Sequence, residues 1–179
     1  MTTRSNDALL HFGEKIALVL QGMCALAGVV LVVMFIALTL ISLKMLPGVA
    51  NPSDFELLEA SPFGYLSLPV MLAAAVGVLF LFFGKMRAII RSASEGDPFI
   101  AENAQRLITM AWLLLAFQVL NLVIGSVRLY VANLATGSGD RLDFSIYDLQ
   151  GLLVILVLFI LARVFRHGAA MREDLEGTV

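Results

Sequence analysis

The sequence predicts an all-α polytopic membrane bundle with four transmembrane helices. Three observations carry that prediction. Hydrophobic residues make up 60% of the 179 and charged residues only 15%, against about 45–50% and about 25% in a soluble domain. Mean hydropathy is +0.93, more apolar surface than one globular core can hide. The apolar residues also fall in long blocks, bounded by Lys and Arg, in place of an even spread.

A helix needs roughly 20 apolar residues to cross a hydrocarbon core about 30 Å thick. The first block, Ile16 to Leu43, lies between Lys15 and Lys44 and has 28 residues, enough to tilt or protrude. Ala25-Leu26-Ala27 resembles a signal-peptide cleavage site, but apolar sequence continues for 16 residues beyond it, and secretory h-regions run only about 7–15. The expectation is an uncleaved span. The second block, Leu66 to Phe83, closes at Lys85, with Pro69 expected in its first turn or so, where a missing N–H is harmless. The third, Leu107 to Val127, lies between Arg106 and Arg128. The fourth has a run of 14 residues, Leu149 to Ala162, apolar but for Gln150, about 21 Å as a helix. Starting it near Asp143 makes up the length but draws Asp148 and Gln150 into the membrane; the alternative is a buried core helix of a soluble protein.

Orientation follows from the Lys and Arg count of the connections. The N-terminal arm (Arg4, Lys15), the second connection (Lys85, Arg87, Arg91, Arg106) and the tail (Arg163, Arg166, Arg172) hold nine; Lys44, Arg128 and Arg141 make three on the other side. Both termini are therefore expected in the cytoplasm. The acidic 44–65 connection, with Asp54, Glu56 and Glu59, and the turn at Gly137–Asp140 are expected outside.

Polar groups in hydrocarbon seek partners on other helices or mark a path. Gln118, Asn121, Gly125 and Arg128 share one stripe of the third helix by spacing. They suit interhelical hydrogen bonds or, alternatively, a polar lining for transport. Arg128 ends its span at a depth expected to be similar to that of Asp148, so the two are candidates for an ion pair. Ala73 and Gly77 supply a small-xxx-small surface for bundle packing or for homo-oligomerisation.

Between the second and third spans, 84–106 reads as a helical hairpin projecting into the cytosol. Lys85, Arg87 and Arg91 sit where anionic lipid headgroups lie. Ser92 to Asp97 is expected to break the helix, with Asp97 as N-cap, Pro98 at the first helical position and Glu102 favourably placed in the first turns. In the tail, Glu173, Asp174 and Glu176 form an acidic patch that suits a basic partner surface.

Other chemistry has no visible carrier. With a formal charge of −2 and no basic run, direct nucleic-acid binding is not expected. Cys24, the single cysteine, reads as a small apolar residue, and His11 and His167 lack ligand spacing. No phosphate-binding glycine loop or Ser/His/Asp arrangement is recognisable. No enzyme activity, cofactor or metal is expected.

Two segments carry a resemblance. Gly96-x-Pro98-Phe99-x-x-Glu102-Asn103-Ala104-x-Arg106-Leu107 resembles the signature loop of a bacterial membrane family, domain of unknown function 2975. The ending Gly168-x-x-Met171-x-Glu173-Asp174-x-Glu176-x-Thr178-Val179 resembles that family's C-terminus, and Phe165 to Met171 matches its aromatic, basic, Gly-containing stretch. The resemblance implies a four-helix inner-membrane protein without an assigned activity, often encoded beside a small helix-turn-helix regulator. On it, Pro98, Phe99, Glu102, Asn103, Arg106, Glu173, Asp174 and Glu176 become candidates for binding a cytoplasmic partner. The expected role is regulatory or scaffolding; the alternative is a small transporter or channel using Gln118, Asn121 and Asp148.

Overall fold

A computed structural model describes residues 3–43, 45, 61–136 and 146–176, with side chains over 9–43, 45, 61–134 and 150–174. The acidic stretch with Asp54, Glu56 and Glu59, the turn at Gly137–Asp140, Lys44, Arg141 and the side chains of Asp148 and Glu176 lie outside the described residues. The described chain forms four helices: α1 (Thr3–Ser42), α2 (Pro62–Ser94), α3 (Ala101–Thr136) and α4 (Ile146–Glu176). All four are long and apolar enough to cross a membrane, and the molecule is a multi-pass membrane protein. The helices run well past the apolar blocks. At about 1.5 Å per residue, the 36 residues of α3 span about 54 Å, far more than the hydrocarbon core.

Each helix packs on its neighbour in the chain, α1 on α2, α2 on α3 and α3 on α4, and the other pairs scarcely touch. The bundle is thus open. Its buried core is small, and Ala17, Ala75, Ala104, Ala111 and Ala162 contribute much of it. Small side chains let helix backbones approach closely, which matters where lipid supplies no hydrophobic drive between helices. In the most apolar window of α1, no residue is buried against protein. Gly77 is exposed with open space where a Cβ would stand, and Ala73 is half-buried.

A few contacts fix the registers. Arg87 Nε donates to Glu14 Oε1 at 3.3 Å, and the Gln21 amide lies over Gly84, setting α1 against α2. Ser92 opposite Asn103, and Gly64 against Val131, set α2 on α3 at both ends. Gln118 over Gly151, and Trp112 edge-on to Phe159 at 5.8 Å, set α3 on α4. Counting along these antiparallel pairs puts Lys15, Arg106 and Arg163 within about one helical turn of a common level. The sequence boundaries of three spans therefore coincide in depth, and we call this side the basic end.

Three local expectations are corrected. The second helix starts at Pro62, where Ser61 caps it by accepting from Gly64 N at 3.3 Å, so Pro69 is buried about two turns inside and not in the first turn. The third helix starts at Ala101, not at Pro98. Asp97 does not cap it, because its carboxylate is turned to Arg172 and the Pro98 carbonyl accepts a side-chain hydrogen bond. Backbone position 148 stands level with Asn121, counting three residues from the Gln118–Gly151 contact. Arg128 is seven residues further, about 10 Å along the helix, so the two are not at a common depth.

The α2–α3 register at Gly64 is sterically tight. A Cβ there would lie 2.8 Å from Val131 Cγ2 and 2.8 Å from Ser61 Oγ. Gly64→Ala is expected to cost about 1–2 kcal/mol through overpacking against a stiff β-branched side chain. Unfolding of the purified variant in detergent measures this; a gain in stability would mean the helices separate freely at that point.

Candidate functional site

The basic end is closed by a cap built from the α2–α3 turn and the last turns of α4. Its first part is the helix stop. Gly96 has φ +91°, a left-handed conformation suited to glycine. Gly96 N donates to Ala93 O at 3.3 Å and Asp97 N to Ser92 O at 3.1 Å. This pair of bonds is a Schellman stop, which satisfies carbonyls that the helix end would leave open.

Asn103 holds the turn together. Its side chain is completely buried. Asn103 Nδ2 donates to Ser92 Oγ at 2.6 Å and to Pro98 O at 2.9 Å, while Oδ1 accepts from Arg106 Nη1 at 2.7 Å. Ser92 Oγ in turn donates to Ile89 O at 2.8 Å. Every proton of the Asn103 amide is used, and no buried side-chain nitrogen or oxygen lacks a partner among the described residues. Such closed polar networks rigidify a unique geometry, because any break strands a group away from water.

The second part is the docking of the turn on α4. Asp97 pairs with Arg172. The Phe99 ring packs on Phe165, with centroids 5.1 Å apart and planes tilted by 39°. Gly168 forms the floor beneath that ring, since a Cβ there would lie 2.9 Å from Phe99 Cδ1. The two signature segments, some 70 positions apart in the chain, thus meet in one structure.

The candidate residues divide by role. Asn103 and Arg106 are joined to each other inside the cap, and Asn103 presents nothing to a partner. Pro98 is half-buried; Phe99, at 44% exposure, and Glu102, Glu173 and Asp174 reach the surface. On α4, Met171 exposes 55% of its surface. Asp97, Ser92, Phe165 and Gly168 were not marked as a group by the sequence, because their shared role exists only across the α2–α3 turn and α4. Arg91 is paired with Glu95 one turn along at 3.0 Å, an exposed contact of little energetic weight.

Among the described residues, Gln118, Asn121 and Arg128 have different surroundings. Gln118 lies over Gly151, where an added Cβ would overlap its amide. Asn121 is exposed, and its Nδ2 donates to Phe117 O of its own helix at 3.0 Å. Arg128 is exposed.

The model of a family described as "Protein of unknown function (DUF2975)" matches residues 48–179, which takes in α2, α3, α4 and both parts of the cap. No curated protein and no solved structure matches the chain.

Proposed function

Since the chain belongs to the DUF2975 family, we propose that its four-helix core serves as a non-enzymatic membrane anchor for the cap, which docks a soluble partner in a regulatory or scaffolding role. On this reading the protein sits in a bacterial inner membrane, with both termini and the cap in the cytoplasm. The excess of Lys and Arg at the basic end supports the orientation.

The single observation that carries the proposal is the meeting of the two signature segments in one braced cap. A network that fully satisfies Asn103 fixes the turn, yet the same cap leaves Phe99, Met171, Glu102 and Glu173 exposed. Exposed aromatic and apolar side chains on a cap that also exposes carboxylates suit a partner with a basic, partly apolar face. A small helix-turn-helix regulator has such a face.

The test uses the full chain in gently solubilised membranes. Capture should recover a DNA-binding protein, and purified components should reproduce the binding. Phe99→Ala combined with Glu102→Lys and Glu173→Lys should weaken that binding at least tenfold, about 1.4 kcal/mol, with the helices intact by circular dichroism. Unchanged binding in the triple variant would refute the cap as the docking surface. A C-terminal reporter active only outside the cell would refute the orientation.

A further inference from the structure

The geometry points to a phospholipid site, and we propose that an anionic phospholipid of the leaflet at the basic end seats one acyl chain in a groove between α2 and α3 with its phosphate at Lys85. The groove has a volume of about 440 Å³, and Val78, Trp112, Leu115, Ala116, Val119 and Val123 line it. All are apolar, and the α3 members recur at helical spacing on one stripe.

The length of the groove selects the occupant. From Trp112 to Val123 is eleven steps, about 16 Å along a helix, too short for a partner that crosses a hydrocarbon core about 30 Å thick and long enough for an acyl chain reaching inward from the level of Lys85. A second copy's helix would instead lie along a face crossing the whole core.

The registers place the mouth of the groove. Counting inward from Ser92–Asn103, or outward from Gly64–Val131, sets Lys85 opposite Met110, less than a turn beyond Trp112 toward the basic end. Lys85 follows Val78 by seven residues, two helical turns, and so shares its face of α2. It is exposed and makes no ion pair or hydrogen bond among the described residues. Of the cations further out on the two helices that form the groove, Arg87 is paired with Glu14, Arg91 with Glu95 and Arg106 with Asn103. An ammonium on a flexible stem at this depth snorkels to the headgroup level. Trp112, 58% exposed at the same mouth, brings an indole N–H able to donate to a phosphate or ester oxygen.

Trp112 is the single tryptophan of the chain, so its fluorescence reports the groove directly. The experiment places the full chain in phosphatidylcholine vesicles containing phosphatidylglycerol, with bromine on the acyl chains of one lipid or the other. Brominated phosphatidylglycerol should quench Trp112 with about fivefold higher apparent affinity than brominated phosphatidylcholine, the size of effect one lysine contributes near an anionic surface. Lys85→Gln, an exposed change that leaves the fold intact, should abolish that preference. Ala116→Phe, which fills the groove, should reduce quenching by both lipids. Equal quenching by the two lipids in the wild type would reduce the contact to ordinary solvation by lipid and overturn the proposal. A preference that survives Lys85→Gln would also overturn it. So would a Trp112 shielded from both lipids in a chain that cross-links to a second copy.

Discussion

Replacing Asn103 with alanine is expected to lower the unfolding free energy by about 2–3 kcal/mol, because a buried polar network loses its hub. The Asn103 amide makes three side-chain hydrogen bonds at zero exposure. Truncation leaves the Pro98 carbonyl and the Arg106 guanidinium short of a partner and opens a small cavity. Ser92 Oγ retains its bond to Ile89 O, so the damage should concentrate at the turn and not in α2. Arg106→Ala, which removes one bond from a half-buried group, should cost about 1 kcal/mol. Unfolding in mixed micelles gives both numbers, and protease cutting near 95–100 should accelerate in the Asn103 variant. A loss below about 0.5 kcal/mol would mean that water substitutes for the amide, and the cap would not be the rigid element described above.

Gly168→Val should separate the turn from α4. The added side chain meets the Phe99 ring, already 2.9 Å from an ideal Cβ, and overpacking of this kind costs about 1–3 kcal/mol. An aromatic ring has only two rotatable bonds, so Phe99 must leave Phe165, and the Asp97–Arg172 pair is pulled apart with it. Spin labels on Glu95 and Glu173, in a Cys24→Ala background, should report a distance longer by several ångströms. A double-mutant cycle adds a sharper criterion. With Phe99→Ala already present, the cost of Gly168→Val should fall to less than half, because the colliding ring is gone. Strict additivity would show that position 168 disturbs only its own helix. The same variant should weaken partner binding as strongly as the changes at Phe99 and Glu102, since it dismantles the surface they share.

Several residues show where reading the sequence stops. The Lys15, Arg106 and Arg163 boundaries were legible because crossing a membrane is priced segment by segment, through local hydropathy and charge. Pro69 was misplaced because an apolar block begins where its hydropathy rises, while the helix begins where Ser61 and Pro62 cap it, two turns earlier. Asp97 and Pro98 carry a good helix-start pattern, and Arg172 and Asn103 outcompeted it from positions remote or inside the next helix. Asn103 looked like a docking residue because burial is a property of the assembled turn. Asp148 and Arg128 looked level because each sits near the end of an apolar run; the Gln118–Gly151 contact moves one of them by about 10 Å.

By itself the sequence determined that four apolar helices cross a bilayer, that one end carries most of the basic residues, and that two signature segments flank the third and fourth spans. Only the tertiary structure decided that the helices pack in chain order, that the turn docks on α4 through Phe99 and Asp97, and that Asn103 faces inward. The physical reason is one of range. Hydropathy and charge act on each segment independently of the others, whereas the partner of a polar or aromatic group depends on the register between helices, which no single segment contains.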